Sequence, residues 1–179
     1  MNMKYTTFIL SAFLCTANLY ASNQAIATEN NITVQNQWKG KKVAYLGDSI
    51  TDKIHVGTSK NYWQYLEEKL GIEPWVYGIN GHQWSDLLGQ AQKLKEEKGG
   101  EVDAIFIFAG TNDFYANVPL GEWYTETYQR VEVSGRIKRA RKHRDFQMNG
   151  KTLRGRINQV LSYLKTNFPE QQIILLTPI

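Results

Sequence analysis

Three short apolar runs, each ending in a glycine-rich polar corner, restrict what this chain can fold into. The first run, Val43–Leu46, stops at Gly47-Asp48-Ser49. Four to eight apolar residues bounded by a turn signal are typical of a buried parallel strand. The same arrangement recurs twice more, with runs and corners at Glu73–Tyr77 and Gly78–Gly81, and at Asp103–Ala109 and Gly110–Asp113.

Amphipathic helical segments alternate with these strands. They have apolar residues at helical spacing and cover Lys60–Leu70, Trp84–Leu94 and Leu153–Phe168, and a fourth apolar strand follows at Gln172–Leu176. Alternation of strands and helices predicts a doubly wound, flavodoxin-like parallel sheet in a three-layer α/β/α sandwich, with strand order 2-1-3-4. Parallel strands place their carboxyl ends at one edge, so the three polar corners are expected to converge there.

Length and composition limit the class of protein. The chain has 179 residues, 42% of them hydrophobic, which suffices for one domain with a substantial core. A mean hydropathy of -0.46 excludes a membrane protein with several spans. The formal net charge of +4 is modest and unevenly placed along the chain.

The N-terminus has the features of an export signal. Met1–Lys4 is short and basic, and Tyr5–Ala21 is uncharged and mostly apolar or small, which predicts a signal peptide cleaved after Ala21 or Ala27. The alternative is a membrane anchor, for which this stretch is short and diluted by Ser and Thr. Cys15 is the only cysteine, and the bulky Leu14 before it disfavours lipid anchoring. The expected location is therefore secreted, periplasmic or on the cell surface, with no stable membrane span after cleavage.

The remaining chain divides by composition. Residues 22–40 are polar and predict a linker or an irregular N-terminal arm, whereas residues 41–179 carry the alternating strands and helices. A basic insertion with aromatic residues interrupts this domain at about 117–150.

The predicted sheet edge carries groups suited to acyl transfer, which needs a nucleophile and donors aimed at the developing oxyanion. Ser49 supplies a hydroxyl, and its own N–H, the N–H of Gly81 and the side-chain amide of Asn112 supply donors. Each also has an ordinary interpretation, as turn residues or, for Asn112, a helix cap. Asp48 and Asp113 are better interpreted as acceptors that fix the tight corners than as an acid or a base.

These corners resemble the sequence blocks of the SGNH hydrolases, also called GDSL esterases and lipases. Gly47-Asp48-Ser49-Ile50-Thr51 is similar to the first block, Gly78–Gly81 to the second and Gly110–Asp113 to the third. The resemblance implies that Ser49 is the nucleophile and that Gly81 and Asn112 are the oxyanion donors. It also implies an esterase, lipase, carbohydrate deacetylase or related acyl hydrolase that needs no metal or other cofactor.

One block of that family is missing from the pattern. Its members carry an Asp-x-x-His near the C-terminus, after a fifth strand, and the C-terminal part of this sequence has neither. The resemblance therefore implies a member that lacks the last strand and helix and is impaired as a catalyst. His55, His82 and His143 are weak candidates for a substitute base. His82, beside Gly81, and Lys53, near Ser49, are possible substrate contacts.

The basic insertion admits two interpretations. Seven Lys and Arg residues between Arg130 and Arg144 follow Trp123, Tyr124 and Tyr128. Basic residues among aromatics occur on nucleic-acid-binding surfaces, but the export signal favours a solvated loop that flanks the site. The expected substrate is a small-molecule or carbohydrate ester, nucleic acid is not expected, and an anionic polysaccharide or acidic surface would suit the charge. The alternative function is a non-catalytic binding module, or an inactive fragment of an esterase.

Overall fold

The structure is a computed structural model, which describes residues 36–55 and 57–177. The expected signal peptide, residues 1–21, and most of the expected N-terminal arm lie outside the described residues. The elements, in chain order, are β1 (Lys42–Gly47), α1 (Tyr62–Leu70), β2 (Glu73–Val76), α2 (Trp84–Lys98), β3 (Ala104–Phe108), α3 (Thr111–Tyr115), β4 (Tyr124–Val133), β5 (Arg136–Phe146), α4 (Leu153–Asn167) and β6 (Gln172–Leu176).

The main sheet has four parallel strands in the order β2-β1-β3-β6. This order confirms the predicted 2-1-3-4 arrangement, because β6 is the fourth apolar run of the sequence. From β1 the chain passes to β2 on one side of β1, and from β2 it crosses to β3 on the other side of β1. Between β1 and β3 lies the point where the direction of winding reverses, and ligands of open α/β sheets bind outside the strand ends there.

Helices cover both faces of this sheet, so the predicted three-layer sandwich is confirmed. Side chains along β1 alternate between the faces, as a strand requires. Val43 and Tyr45 pack with Trp63 of α1, whereas Ala44 and Leu46 join the larger core. That larger core is completed by α2 and α4, which contribute Leu87, Ala91, Leu94, Val160 and Leu164.

The basic insertion is largely exposed, as predicted, but the prediction that it forms a loop is wrong. Residues Tyr124–Phe146 form an antiparallel hairpin of β4 and β5, separate from the main sheet. Ser134 and Gly135 at its tip both have positive φ, as the central residues of a type I′ turn do. Glu126 on β4 receives hydrogen bonds from Lys142 and Arg144 on β5, which lower the pKa of its carboxyl.

Two further features concern helices. The third polar corner is not irregular, because Thr111–Tyr115 forms the short helix α3 directly after β3. Within the described ranges, no helix combines the length and the apolar character needed to cross a bilayer.

Candidate active site

The carboxyl end of β1 is held in place by a buried glutamine. The N–H of Gly47 donates to Oε1 of Gln90 over 2.9 Å, and Nε2 of Gln90 donates to the Gly47 carbonyl over 2.8 Å. A side chain at position 47 has no room, because a Cβ there would lie 2.3 Å from the Phe108 carbonyl oxygen. The strand therefore ends in a fixed geometry two residues before Ser49.

Ser49 lies in a tight turn after this strand. The carbonyl of Asp48 accepts hydrogen bonds from the N–H groups of Thr51 and Asp52, both at 3.0 Å. Ser49 itself is half-buried, and no described residue forms a hydrogen bond with its hydroxyl or accepts one from its backbone N–H. The turn thus presents a hydroxyl and an N–H donor to the edge of the sheet.

Asp48 is buried next to this serine and fixes the turn. Its Oδ1 accepts the N–H of Ile50 over 3.1 Å, while its Oδ2 has no partner among the described residues. Burial raises the pKa of the Asp48 carboxyl, and the nearby charge of Asp113 adds a smaller increase.

The first and second corners are joined by the Asp52 carboxylate. One oxygen accepts the N–H of Ile54 over 3.0 Å, and the other accepts the N–H of Asn80 over 2.6 Å. Asp52 therefore ties the loop after Ser49 to the residue before Gly81.

Gly81 has the backbone conformation that glycine adopts most easily. Its φ is +81°, and no described atom outside Gly81 and its two chain neighbours lies within 4 Å of the position that a Cβ would take. Its N–H has no acceptor among the described residues. This leaves a second backbone donor free at the sheet edge.

Asn112, on α3, is positioned directly against this loop. Its Nδ2 donates to the carbonyl of His82 over 2.9 Å, and its own carbonyl accepts Nε2 of Gln83 over 3.3 Å. A side-chain amide carries two N–H donors, so one remains after the bond to His82. The second and third corners are thus brought together, with a spare amide donor beside Gly81.

The buried Asp113 carboxylate fixes the third corner to α2 and α4. It is fully buried; its Oδ2 accepts the N–H of Trp84 at the start of α2, and its Oδ1 accepts Nη1 of Arg156 over 2.8 Å. Nη1 of Arg156 also donates to Oε1 of Gln83 over 2.9 Å. A carboxylate at a helix N-terminus is favoured by the helix dipole, and the arginine balances its charge.

Breaking this pair should destabilise the fold strongly. Removing one partner of a buried ion pair leaves an uncompensated charge, so Arg156→Met is expected to lower the free energy of unfolding by about 3 kcal/mol. The control is Lys41→Met, because Lys41 pairs with Asp103 at an exposed site and should contribute less than about 1 kcal/mol. Urea denaturation at pH 7 measures both, and equal losses would contradict a special role for the Arg156–Asp113 pair.

Each of the three histidines has a neighbour other than the Ser49 hydroxyl. Nδ1 of His82 is 3.0 Å from Nε2 of Gln90, and Nε2 of His143 is 3.0 Å from Oδ1 of Asp145 on the hairpin. The His55 ring lies against Trp63, with ring centroids 6.5 Å apart. In the described part of the chain, none of the three imidazoles forms a hydrogen bond with Ser49.

The letters Asp-x-x-His do occur once, at Asp52–His55, but not as a catalytic pair. The Asp52 carboxylate is used by the N–H groups of Ile54 and Asn80, and its oxygens form no hydrogen bond with the His55 imidazole. This motif therefore organises the loop after the serine.

Lys53, the other expected substrate contact, is exposed and lines a cleft together with His82. No group of three or more His, Cys, Asp or Glu residues suited to a metal ion occurs within residues 36–55 and 57–177.

Sequence reasoning did not identify Gln90, Asp52 or Arg156 as part of the site. Gln90 had a signal in the sequence, since it lies on the apolar face of α2 between Leu87 and Leu94, where a polar side chain needs a buried partner. Asp52 and Arg156 had no such signal in the sequence, because the residues that they bind lie in distant segments of the chain.

A parallel α/β sandwich with a serine, a glycine and an asparagine at three successive strand ends carries groups suited to acyl transfer. The family comparison agrees. The model of the GDSL-like lipase/acylhydrolase family matches residues 45–179, and the chain belongs to that family.

Solved structures share the fold. A protein from Lactobacillus plantarum superposes with a TM-score of 0.58 at 23% identity, covering 79% of this chain and 57% of its own. A possible lipase from Chitinophaga pinensis gives 0.51 at 23% identity, covering 77% of this chain and 48% of its own. A point mutant of the esterase AlinE4 gives 0.50 at 12% identity, covering 76% of this chain and 58% of its own.

This chain therefore spans 48–58% of the length of these three structures. The comparison with curated protein sequences gave no match.

Proposed function

We propose that the protein hydrolyses esters through Ser49. Its Oγ attacks the ester carbonyl carbon, and its proton passes to a base. The carbonyl oxygen becomes an oxyanion, which accepts hydrogen bonds from the N–H groups of Ser49 and Gly81 and from the spare amide N–H of Asn112. The base returns the proton to the leaving oxygen as the intermediate collapses, which releases the alcohol and leaves an acyl-serine; water then hydrolyses this ester, giving the carboxylic acid and free Ser49.

One observation carries this proposal. The bond from Asn112 Nδ2 to the His82 carbonyl holds the amide beside Gly81, while the N–H groups of Ser49 and Gly81 have no described acceptor. Donors that are fixed in advance and free of partners stabilise an oxyanion without reorganisation during the reaction.

We also propose that His55, His82 and His143 do not act as the base. Each imidazole lies in the surroundings described above, and none is bonded to the serine hydroxyl. The base is then supplied by the Asp-x-x-His block that family members carry after a fifth strand, and not by Asp52–His55. The 179-residue chain alone is therefore a weak catalyst. The experiments below use an extended form, which is this chain continued by the fifth strand and the Asp-x-x-His helix of another family member.

The outer side of β6 supports this arrangement. β6 is an edge strand of the described sheet, and Leu175 is 47% exposed. A groove of about 400 Å³ lies beside it, lined by Leu161, Phe168, Ile173 and others. A fifth parallel strand would pair with β6 and cover this apolar surface.

Asn112→Ala tests the oxyanion donor. We expect the kcat of the extended form to fall about 10²–10³-fold, which is the usual loss for one such donor. The control is Asn167→Ala, because the Asn167 amide donates to the Tyr163 carbonyl on α4, away from the site. Near-native kcat in Asn112→Ala would show that the amide only fixes the loop.

Export by the predicted signal peptide, residues 1–21, remains part of this proposal. N-terminal sequencing of the protein from its native host tests it, with the expected first residue directly after Ala21 or Ala27.

A second candidate function is that of a non-catalytic binding module. It is favoured by the same finding that no described histidine is bonded to Ser49. Titration with an acetate ester separates the two functions, because a binding module saturates without releasing the alcohol.

A further inference from the structure

A cleft of about 860 Å³ opens between the edge strand β2 and helix α2. Ser49, Gly81 and Asn112 do not line it, whereas His82, the residue after Gly81, does. The cleft thus begins at the loop that carries an oxyanion donor. If Ser49 reacts as proposed, a substrate group adjoining the ester would extend past His82 into this cleft.

The lining of this cleft is polar for a site of this size. Its aliphatic side chains are Pro74, Val76 and Ile79, and they are outnumbered by charged, polar and aromatic ones. A long acyl chain needs a continuous apolar lining, because each buried methylene is stabilised by about 0.8 kcal/mol only where it displaces water from apolar surface. A hydrocarbon here would instead desolvate ammonium and carboxylate groups without replacing their hydrogen bonds.

The same lining suits a ligand rich in hydroxyl groups. Lys53 offers an ammonium donor, and the Glu97 carboxylate accepts from the Tyr77 hydroxyl over 2.9 Å and lies 3.8 Å from the Lys93 ammonium. The Trp75 indole adds an aromatic surface, with the Lys98 ammonium 4.6 Å and the Lys42 ammonium 5.4 Å from its ring centroid. Pockets that combine aromatic surface with a few directed polar groups fix the orientation of small polar ligands.

The hydrogen bonds around His82, which lines the cleft, define the tautomer of its imidazole. The Gly47 N–H requires an acceptor, so the oxygen of the Gln90 amide faces it and the NH₂ group faces the Gly47 carbonyl. The same NH₂ group is 3.0 Å from Nδ1 of His82, which must therefore accept. A neutral imidazole that accepts at Nδ1 carries its proton on Nε2.

The Nε2–H of His82 is free to bind a ligand. No described residue forms a hydrogen bond with it, and His82 is only half-buried. Gln90 is a positioning residue, because it fixes the orientation and tautomer of His82 as well as the carboxyl end of β1.

We propose that this cleft binds the alcohol portion of the substrate, that this portion is a sugar rather than a lipid, and that His82 Nε2–H donates a hydrogen bond to one of its oxygens. This inference rests on the proposed ester hydrolysis, which it supplies with a substrate class: short-chain esters of carbohydrates.

The first arm of the test measures the His82 tautomer by nitrogen NMR of the 179-residue chain, with His82→Ala used for assignment. We expect an unprotonated Nδ1 and a protonated Nε2, and acetylated xylotetraose should shift the Nε2 resonance. In Gln90→Glu the carboxylate accepts instead of donating, so Nδ1 should become protonated. A wild-type Nδ1 that carries the proton, or an Nε2 resonance unmoved by the sugar, would overturn the proposal.

The second arm measures kinetics in the extended form with acetylated xylotetraose, p-nitrophenyl acetate and p-nitrophenyl octanoate. His82→Ala should lower the ratio of kcat/KM for the sugar ester to that for p-nitrophenyl acetate about tenfold, the usual scale for losing one hydrogen bond. His143→Ala, on the hairpin, is the matched control and should leave the ratio unchanged. An unchanged ratio in His82→Ala, or octanoate as the preferred substrate, would contradict the proposal.

Failure of the proposed function gives a different pattern. If no ester is hydrolysed in a Ser49-dependent way while the sugar still shifts the His82 resonance, the cleft binds carbohydrate and the catalytic proposal is wrong.

Discussion

Ser49→Ala is expected to abolish ester hydrolysis by the extended form, with kcat falling by about 10⁶ as for other serine hydrolases that lose their nucleophile. The hydroxyl oxygen forms the acyl-enzyme bond, and no other group in the three corners replaces it. The residual rate should be the one that the oxyanion donors and substrate binding support without a nucleophile. Release of p-nitrophenol from the acetate ester measures the effect.

The matched control for this change is Ser162→Ala. Ser162 is an exposed serine on α4, so its hydroxyl has no part in the site and the variant should keep full activity. If Ser49→Ala retained more than about a hundredth of the wild-type kcat, well above the loss expected for a missing nucleophile, Ser49 would not be that nucleophile.

The second large effect concerns the base. A serine hydroxyl is a weak nucleophile until a neighbouring base takes its proton, so the extended form should exceed the 179-residue chain by several orders of magnitude in kcat. Both proteins are assayed on p-nitrophenyl acetate, with Ser49→Ala as the blank. We expect the shorter chain to lie near the blank.

A contrary result is equally specific. Rapid, Ser49-dependent turnover by the 179-residue chain, with a pH profile that follows a histidine, would assign the base to His55, His82 or His143. Replacing each by alanine would then identify it.

The sequence predicted the parts of the fold that depend on local pattern. The four apolar runs became β1, β2, β3 and β6 because short apolar segments between glycine corners and amphipathic helices have few other ways to bury both faces. Strand order followed from the doubly wound arrangement, in which the direction of winding reverses between the first and third strands.

The hairpin was missed because basic and aromatic residues were interpreted as surface chemistry. The segment Tyr124–Val133 also carries alternating Tyr, Thr and Val residues, and Ser134-Gly135 is a turn signal, which together predict two strands. A structureless connection of about 30 residues within a compact domain was itself improbable.

Much of the support around the site was beyond sequence reasoning. Which residue binds the Asp113 carboxylate depends on the packing of α4 against α2, and Arg156 lies 43 positions away in the chain. Likewise, Asp52 binds the N–H of Asn80 through a contact between two loops. Such contacts are set by tertiary geometry, which short motifs do not encode.

The central claim is that Ser49 is the acylated residue in an oxyanion hole formed with Gly81 and Asn112. The most direct measurement is mass spectrometry of the extended form after reaction with a fluorophosphonate, a reagent that forms a stable adduct with an activated serine. We expect one adduct per chain, located on the peptide that contains Ser49, formed more slowly in Asn112→Ala and absent in Ser49→Ala. An adduct on another residue, or labelling that persists in Ser49→Ala, would contradict the account.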